Sequence, residues 1–447
     1  MDALHNDLKS TREAELEVHY TISEVIRAID ELNNWMSPKR VEKTLIMKTD
    51  SAFVKPEPMG LVLIISPWNY PLVLAIEPLI GAIAAGCVAI VKPSEIAEKT
   101  AEAISKYLPM YLDSSCYKVV TGGVEVAQQL LELRYDFVFY TGSPFVGAKI
   151  LESCAKHLTP AVLELGGKSP CIVSKNCDLS SVANRIIWGK CLNAGQTCIA
   201  PDYVLCDKSI ANDLLEEMKK SISAFYGSDA KESKDYGRII SVKHWKAIVD
   251  MTQEVKSHIV CGGVWSEKEK YISPTLLFNP PLDSKIMKNE IFGPILPVIP
   301  ISNIKEAVSF VNSKEKSLSL YVFSKSDDEI DYVLQHTSSG GVCVNDVFMH
   351  SLLHSLPFGG VGNSGMGRCH GKATFDAFSN MKSVLWRSHG MEFLNNLRYP
   401  PSSAKKTAFL NNLMFSKRVR NKFAQFAMLS MIFAGVTFLI VAGTRGF

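Results

Sequence analysis

Apolar residues along this chain fall into two alternating patterns, short unbroken runs and stretches of helical spacing, and their succession predicts strands and helices in turn. Over residues 1–35, Ile22, Val25, Ile26, Ile29 and Leu32 recur at three- and four-residue intervals with charges between them, which predicts an amphipathic helix. Residues 36–60 hold several prolines and alternate apolar with polar, as an extended connector or edge strand does. A unit then repeats. Apolar runs at 60–66, 88–91, 118–120, 137–140 and 161–165 are separated by helical stretches at 71–86, 100–112, 124–133 and 147–157. Unbroken apolar strands joined by helices predict a parallel sheet covered on both faces, a doubly wound α/β domain. A second such unit follows from residue 167, with a run at 171–173, a helix over 179–192, a run at 203–206 and a helix over 212–225.

Doubly wound sheets bind ligands at the carboxyl ends of their strands, so the residues there carry the interest. The second run ends in Lys92-Pro93-Ser94-Glu95 and the fourth in Thr141-Gly142-Ser143-Pro144-Phe145-Val146-Gly147, which opens a helix. Gly142 permits a tight turn, and free amides at a helix amino terminus favour an anion such as a pyrophosphate. Glycine also serves strand-to-helix turns with no ligand, and the full G-x-G-x-x-G pattern is absent, so these residues alone leave dinucleotide binding open. Cys198, in Gly195-Gln196-Thr197-Cys198-Ile199-Ala200-Pro201, stands where the backbone can turn sharply and project a side chain, as a nucleophile requires. Most free cysteines are instead small buried hydrophobes. Glu164, at a strand end before Gly166-Gly167, and Glu290, before a Phe-Gly-Pro turn, are acids placed at loops rather than on helical faces.

Composition narrows the setting. With 447 residues, 47% of them hydrophobic and 21% charged, the chain can build two or three sizeable cores. A net charge of +3 spread among interleaved acids and bases gives no electrostatic support to a nucleic-acid partner. Eleven cysteines, no Cys-x-x-Cys pair and no amino-terminal apolar segment indicate a reducing compartment. His350 and His354 have the spacing of a zinc pair, but Ser351 stands where a zinc protease carries glutamate and no third ligand is evident, so the sequence is read as holding no metal site.

Six ordered motifs then carry a resemblance: Pro67-Trp68-Asn69-Tyr70-Pro71, Lys92-Pro93-Ser94-Glu95, Thr141-Gly142-Ser143, Leu163-Glu164-Leu165-Gly166-Gly167-Lys168, Gly195-Gln196-Thr197-Cys198 and Glu290-Ile291-Phe292-Gly293-Pro294. The chain resembles the aldehyde dehydrogenase superfamily over essentially its whole length. With residues 357–367 followed by His370-Gly371, it looks most like the class 3 branch and its membrane-anchored fatty aldehyde dehydrogenases. The resemblance implies that Cys198 attacks the aldehyde, that Asn69 and the Cys198 amide hold the oxyanion, and that Glu164 is the base, with Glu290 a competing candidate. It assigns Trp68, Lys92, Ser94, Glu95, Gly142, Ser143, Gly147, Glu290 and Phe292 to an NAD site, NADP being possible, since Glu95 near a ribose 2′-hydroxyl would repel a 2′-phosphate. It implies an NAD-binding domain over 1–165, a catalytic domain over 166–345 and a closing segment over 346–390. A gate-like segment over 391–422 and a homodimer are implied too. Members of this family usually begin with several tens of further residues, so a weaker cofactor domain is expected here.

The tail adds a membrane. Residues 423–443 are 21 without a charge, 16 of them apolar, and as a helix they would span roughly 31 Å against a bilayer core of about 30 Å. Lys417, Arg418, Arg420 and Lys422 precede the stretch and only Arg445 follows, so the catalytic part is expected on the cytosolic face of a tail-anchored protein, most simply at the endoplasmic reticulum. Met391, Phe393, Leu394, Leu397, Phe409, Leu410, Leu413, Met414 and Phe415 supply apolar positions at helical spacing before it. An apolar entrance at a bilayer suits medium- or long-chain aldehydes. Preference for short or aromatic aldehydes, a scaffold of the same fold, and a cofactor-free hydrolase using Cys198 are the alternatives.

Overall fold

The computed structural model describes residues 1–8, 10–44, 47–390 and 392–414, which form two units. The larger comprises residues 1–36 and 57–380. It opens with helices α1 (Asp2–Leu8) and α2 (Thr11–Met36), two helices where the periodicity predicts one. The face of α2 is also corrected. Ile22, Val25, Ile26 and Ile29 are exposed, Ile29 by 69%, while Ala14, Glu17, Thr21, Glu24, Ala28 and Trp35 turn inward. The inward choice follows from polar partners in the neighbouring helix. One oxygen of Glu17 accepts the amides of Leu72 and Val73 at 2.7 and 2.9 Å, which open helix α3 (Val73–Ala85). Leu72 offers that helix no side-chain cap of its own, so α2 satisfies two amides that would otherwise be orphaned.

Strands β1 (Lys39–Arg40) and β2 (Ser51–Pro58) run antiparallel and belong mainly to the smaller unit. The first large sheet follows in the order the apolar runs predict: β3 (Leu61–Ile65), α3, β4 (Val88–Lys92), α4 (Glu98–Tyr111), β5 (Tyr117–Val119), α5 (Val124–Glu132), β6 (Phe137–Thr141), α6 (Pro144–Ala155) and β7 (Ala161–Glu164). Its strands pair in parallel in the order β7-β6-β3-β4-β5. Alternate residues feed two cores. Val62, Ile64, Val91 and Phe139 face one way, and Leu63, Ile65, Val138 and Leu163 face the other, as a sheet with helices on both faces demands. The order reverses beside β3, so the loops after β3 and β6 flank the crevice where such sheets take ligands.

The second sheet begins with β8 (Pro170–Val173), α7 (Leu179–Cys191), β9 (Tyr203–Asp207), α8 (Ala211–Tyr226), α9 (Val242–Gln253) and β10 (Ile259–Cys261). After a small hairpin of β11 (Trp265–Ser266) and β12 (Tyr271–Ile272) it continues through β13 (Thr275–Phe278), α10 (Lys285–Lys288), β14 (Ile295–Ile301), α11 (Ile304–Asn312), β15 (Ser319–Phe323), α12 (Asp327–His336) and β16 (Gly341–Val344). The strand order is β10-β13-β14-β9-β8-β15-β16, parallel except for β10. Beyond α13 (Met349–Leu352) the chain returns to the first sheet, where β17 (Gly365–Met366) pairs antiparallel with β7 and sets Gly365 opposite Glu164. Helix α14 (Lys372–Ala377) follows.

Among the described residues, the smaller unit comprises 37–56 and those between 381 and 414. It holds most of β18 (Ser379–Trp386), an ion pair of Arg387 with Asp50 at 2.9 Å, and helices α15 (Glu392–Asn395) and α16 (Ala404–Met414). The predicted membrane stretch 423–443, with the basic residues before it, lies outside the described residues. Among the described residues no helix is long and apolar enough to cross a membrane.

Candidate active site

Five loops converge on one cleft of about 180 Å³, lined among others by Trp68, Asn69, Gly142, Glu164, Cys198 and Glu290. The first sheet contributes from the carboxyl ends of β3, β6 and β7, whereas the second contributes from the loops that precede β9 and β14. A larger and almost wholly apolar groove beside α1 and α4 carries no reactive side chain.

Cys198 is partly exposed, and a strained turn aims it. Asn193, Ala194 and Gly195 all have left-handed backbone, with φ of 52°, 50° and 77°. For the first two this costs energy, and such strain persists only where the surroundings fix it. Here they do. The Gln196 side chain donates to the carbonyls of Asn193 (3.0 Å) and Arg238 (2.9 Å) and accepts from the Ile240 amide (2.9 Å). The Tyr321 hydroxyl donates to the Ile199 carbonyl, and Tyr70 is bonded to Thr197 at 2.8 Å. Gly195 is required on a second count, because a Cβ there would lie 2.3 Å from the Gly293 carbonyl oxygen.

Asn69 is buried and donates through Nδ2 to the Gln196 carbonyl at 3.1 Å, while Asn193 donates to the Asn69 carbonyl at 2.6 Å. These bonds tie the loop after β3 to the turn before Cys198, across 127 residues of sequence. Asn69 therefore comes to the thiol already oriented.

Two carboxyls share the cleft. Glu164 is 4% exposed and neither of its oxygens has a hydrogen-bond partner. Burial pushes its pKa well above the ordinary carboxyl range, against the opposing pull of the Cys369 thiol and the Arg368 guanidinium. Glu290 is pushed up to about 8, first by burial and then by Asp202. Its approach depends on Gly166, where a Cβ would fall 2.4 Å from Glu290 Oε2. Its loop is anchored by Lys168, which pairs with Asp202 at 2.5 Å and donates to the carbonyls of Ile286 and Asn289 at 2.8 Å each. Asp202 in turn accepts the Ile291 amide at 3.1 Å. Burial, Glu290 and Glu164 together push the Cys198 thiol up to about 12, although the amides of Cys198 and Ile199 favour its thiolate. The resting thiol is thus protonated and needs a proton acceptor before it can attack.

Of the remaining predicted residues, Trp68, Ser143 and Phe292 line the same cleft, whereas Lys92, Ser94 and Glu95 follow β4 and Gly147 lies on α6. Trp68 and Phe292 meet edge to face at 5.3 Å, with His244 beside both and bonded through Nε2 to the Phe292 carbonyl at 2.8 Å. Lys92 is buried at the end of β4 and reaches the Pro93 carbonyl and the Glu95 carboxylate, each at 3.1 Å. Ser94 accepts the Ile96 amide, and Ser143 caps α6 by accepting the Val146 amide at 3.4 Å. Gly147 lets that helix close on the sheet, since a Cβ would lie 2.9 Å from Leu165. His350 and His354 do not converge. His350 bonds to Ser319 at 2.9 Å, and His354 pairs with Glu24.

The model of the aldehyde dehydrogenase family matches residues 5–384, the stretch that carries this cleft. The chain belongs to the aldehyde dehydrogenase family. It is an oxidoreductase acting on aldehydes, and its curated relatives place it in the class 3 branch. It is 50% identical over 390 residues to aldehyde dehydrogenase family 3 member A2 of Pongo abelii, covering 87% of this chain and 80% of the relative. It is 47% identical over 389 residues to the mouse protein named aldehyde dehydrogenase, dimeric NADP-preferring, covering 87% and 85%. The substrate-bound Staphylococcus aureus AldH superposes with a TM-score of 0.90 at 40% identity, covering 93% of this chain and 90% of the other.

Sequence reading gave no role to Gln196, Asn193, Tyr321, His244, Lys168 or Asp202. Gln196, Asn193 and Lys168 stand within or beside the quoted motifs, so motif membership was a usable signal for them. Tyr321 sits inside an apolar strand, and nothing in its local sequence marks it.

Proposed function

We propose that this aldehyde dehydrogenase oxidises medium- to long-chain aliphatic aldehydes to carboxylic acids through a thioester on Cys198. The observation that carries the mechanism is the meeting of Cys198, Asn69 and two buried carboxyls, Glu164 and Glu290, in one cleft. The Cys198 thiol gives its proton, through water, to a carboxylate of the cleft, which passes it on to solvent, while sulfur attacks the aldehyde carbon and the carbonyl oxygen becomes an oxyanion. The second N–H of Asn69 Nδ2 and the Cys198 amide hold that charge, a kind of contact worth about 3 kcal/mol or more. NAD or NADP, when bound, accepts the hydride. A thioester remains on Cys198. Glu164 takes a proton from water, which attacks the thioester and releases the acid. Glu290 is the second candidate for that base.

We read the crevice as the dinucleotide site. Trp68, Gly142, Ser143 and Gly147 would border it and Lys92, Ser94 and Glu95 would hold the adenosine ribose, with Glu290 and Phe292 at the nicotinamide end. Glu95 disfavours a 2′-phosphate and Lys92 beside it tempers the effect, so NAD is preferred and NADP accepted.

The long-chain preference is supported by the uncharged tail 423–443 and by the apolar positions before it, among them Leu397, Phe409 and Leu410. We read the tail as an anchor in the endoplasmic reticulum membrane with the enzyme on the cytosolic side. A homodimer is supported by the dimeric mouse relative and by the uncovered apolar side of α2.

The deciding experiment adds aldehyde with and without NAD and follows reduced cofactor by absorbance. Cofactor reduction that is abolished in Cys198→Ala, with NAD binding retained, is the expected result. Ester cleavage without cofactor reduction would point to a hydrolase, and neither activity would point to a scaffold of the same fold.

A further inference from the structure

Behind the catalytic cleft lies a group of side chains that the mechanism does not use. Glu77 on α3 and the sequence neighbours Cys369 and His370, just before α14, are all buried, and one candidate donor atom from each lies within 4.8 Å of the other two. His370 Nε2 is 3.7 Å from Glu77 Oε1. That oxygen has no hydrogen-bond partner, nor has His370 Nδ1. Buried polar atoms without partners cost about 1–3 kcal/mol each, so several in one place need a physical reason.

The backbone gives a second, independent sign. His370 is held at φ 77°, a left-handed conformation that a histidine adopts only at a cost, and its ring is stacked on Phe358 at 4.7 Å and 10°. Cys369 is fixed by paired backbone bonds with Phe358 at 2.9 and 2.7 Å. The strain and the stacking together turn two consecutive side chains towards Glu77.

We propose that Glu77, Cys369 and His370 form a zinc site that ties α3 to the segment preceding α14. A thiolate, an imidazole and a carboxylate are the donor types Zn²⁺ takes, and three protein donors leave a fourth position for water. The mixed soft and borderline set disfavours Mg²⁺ and Ca²⁺, which take oxygen donors. A thiolate and a carboxylate would together balance the two charges of the ion, and their protons would leave as it enters. Tyr20 lies nearby with an unpartnered hydroxyl, and Glu24 is paired with His354 close to the same group, so outer polar groups are at hand.

The test uses the full-length protein carrying Cys198→Ser, so that the catalytic thiol cannot supply the sulfur. Cobalt(II) is titrated as the probe, and zinc is then used to displace it. One equivalent should bind and give a sulfur-to-cobalt charge-transfer band in the near ultraviolet. Cys369→Ser should abolish the band. Glu77→Gln and His370→Gln should each weaken binding by more than the roughly 10–100-fold that loss of an outer-sphere partner costs. Zinc should raise the thermal midpoint of the parent and not of Cys369→Ser, a comparison that stands even if the histidine variant folds poorly. A band that persists in Cys369→Ser, or no stoichiometric binding of cobalt or zinc, would overturn the proposal and assign the cluster to a hydrated polar pocket.

Discussion

Replacing Glu164 with Gln tests the chemistry most directly, because it changes one proton acceptor and little else. The backbone at this position is fixed by β7: its carbonyl accepts the Gly142 amide at 3.0 Å, and it pairs with Thr141 and Gly365. Glutamine has the same shape, so these contacts stay. What is lost is a buried carboxyl, influenced besides burial only by the Cys369 thiol, the Arg368 guanidinium and the Glu77 carboxyl, that can take a proton from water. Positioned general bases contribute about 10²- to 10⁴-fold, or roughly 3–5 kcal/mol of barrier. Hydride transfer precedes that step. Rapid mixing of enzyme, NAD and a saturated aldehyde should give a burst of about one reduced cofactor per site, followed by turnover slowed at least about a hundredfold. Intact-mass measurement during the stall should find the acyl group on Cys198. Since burial raises the Glu164 pKa, deacylation in the parent should rise with pH above the ordinary carboxyl range, and the rise should vanish in the variant. Steady turnover within tenfold of the parent, with no burst, would refute the assignment. A stall in Glu290→Gln instead would move the base to that residue.

Asn69→Ala should lower kcat by about 10²- to 10³-fold with a smaller change in KM, as removal of an oxyanion donor does; an effect confined to KM counts against that role. Gly195→Ala places a Cβ 2.3 Å from the Gly293 carbonyl at φ 77° and should destabilise by roughly 2–5 kcal/mol. Thermal unfolding within a degree of the parent would contradict it. Burial raises Glu13, Glu17 and Glu24 to about 7 and Glu290 to about 8, so their share of stability is present below the ordinary carboxyl value and is lost as pH rises through 7–8. Burial lowers His350 to about 4, so its share is lost as pH falls from 6.5 towards 4. Between about pH 4.5 and 6.5 the four acids outweigh the one histidine, so these groups should lower the thermal midpoint as pH rises from about 4.5 to 8, and a midpoint rising from pH 5 to 8 would be inconsistent with these burials. Removing residues 423–447 should release a soluble, active enzyme, and removing 391–447 should weaken hexadecanal turnover more than hexanal or benzaldehyde. Equal losses for all three substrates would reduce the segment to structural support.

The strand and helix alternation was legible from sequence because each strand of a doubly covered parallel sheet must be apolar on both sides, and the runs here are too short for buried helices and end in turn residues. Cys198 was legible for a local reason, the glycine and proline that bracket its turn. Periodicity could say that α2 has an apolar side but not which side is covered. That was decided by Glu17 capping α3 and Glu24 meeting His354, contacts 55 or more residues away in sequence that draw the polar side inward. Likewise, nothing local announces that Gly166 clears room for Glu290, that Lys168 and Asp202 hold the loop carrying it, or that Tyr321 bonds the Ile199 carbonyl. Pattern along a chain records what each residue needs from its surroundings, water or burial, turn or strand. Which partner meets that need depends on how the two sheets bring distant loops together, and only the tertiary structure sets the distances on which a proton transfer or a metal ion depends.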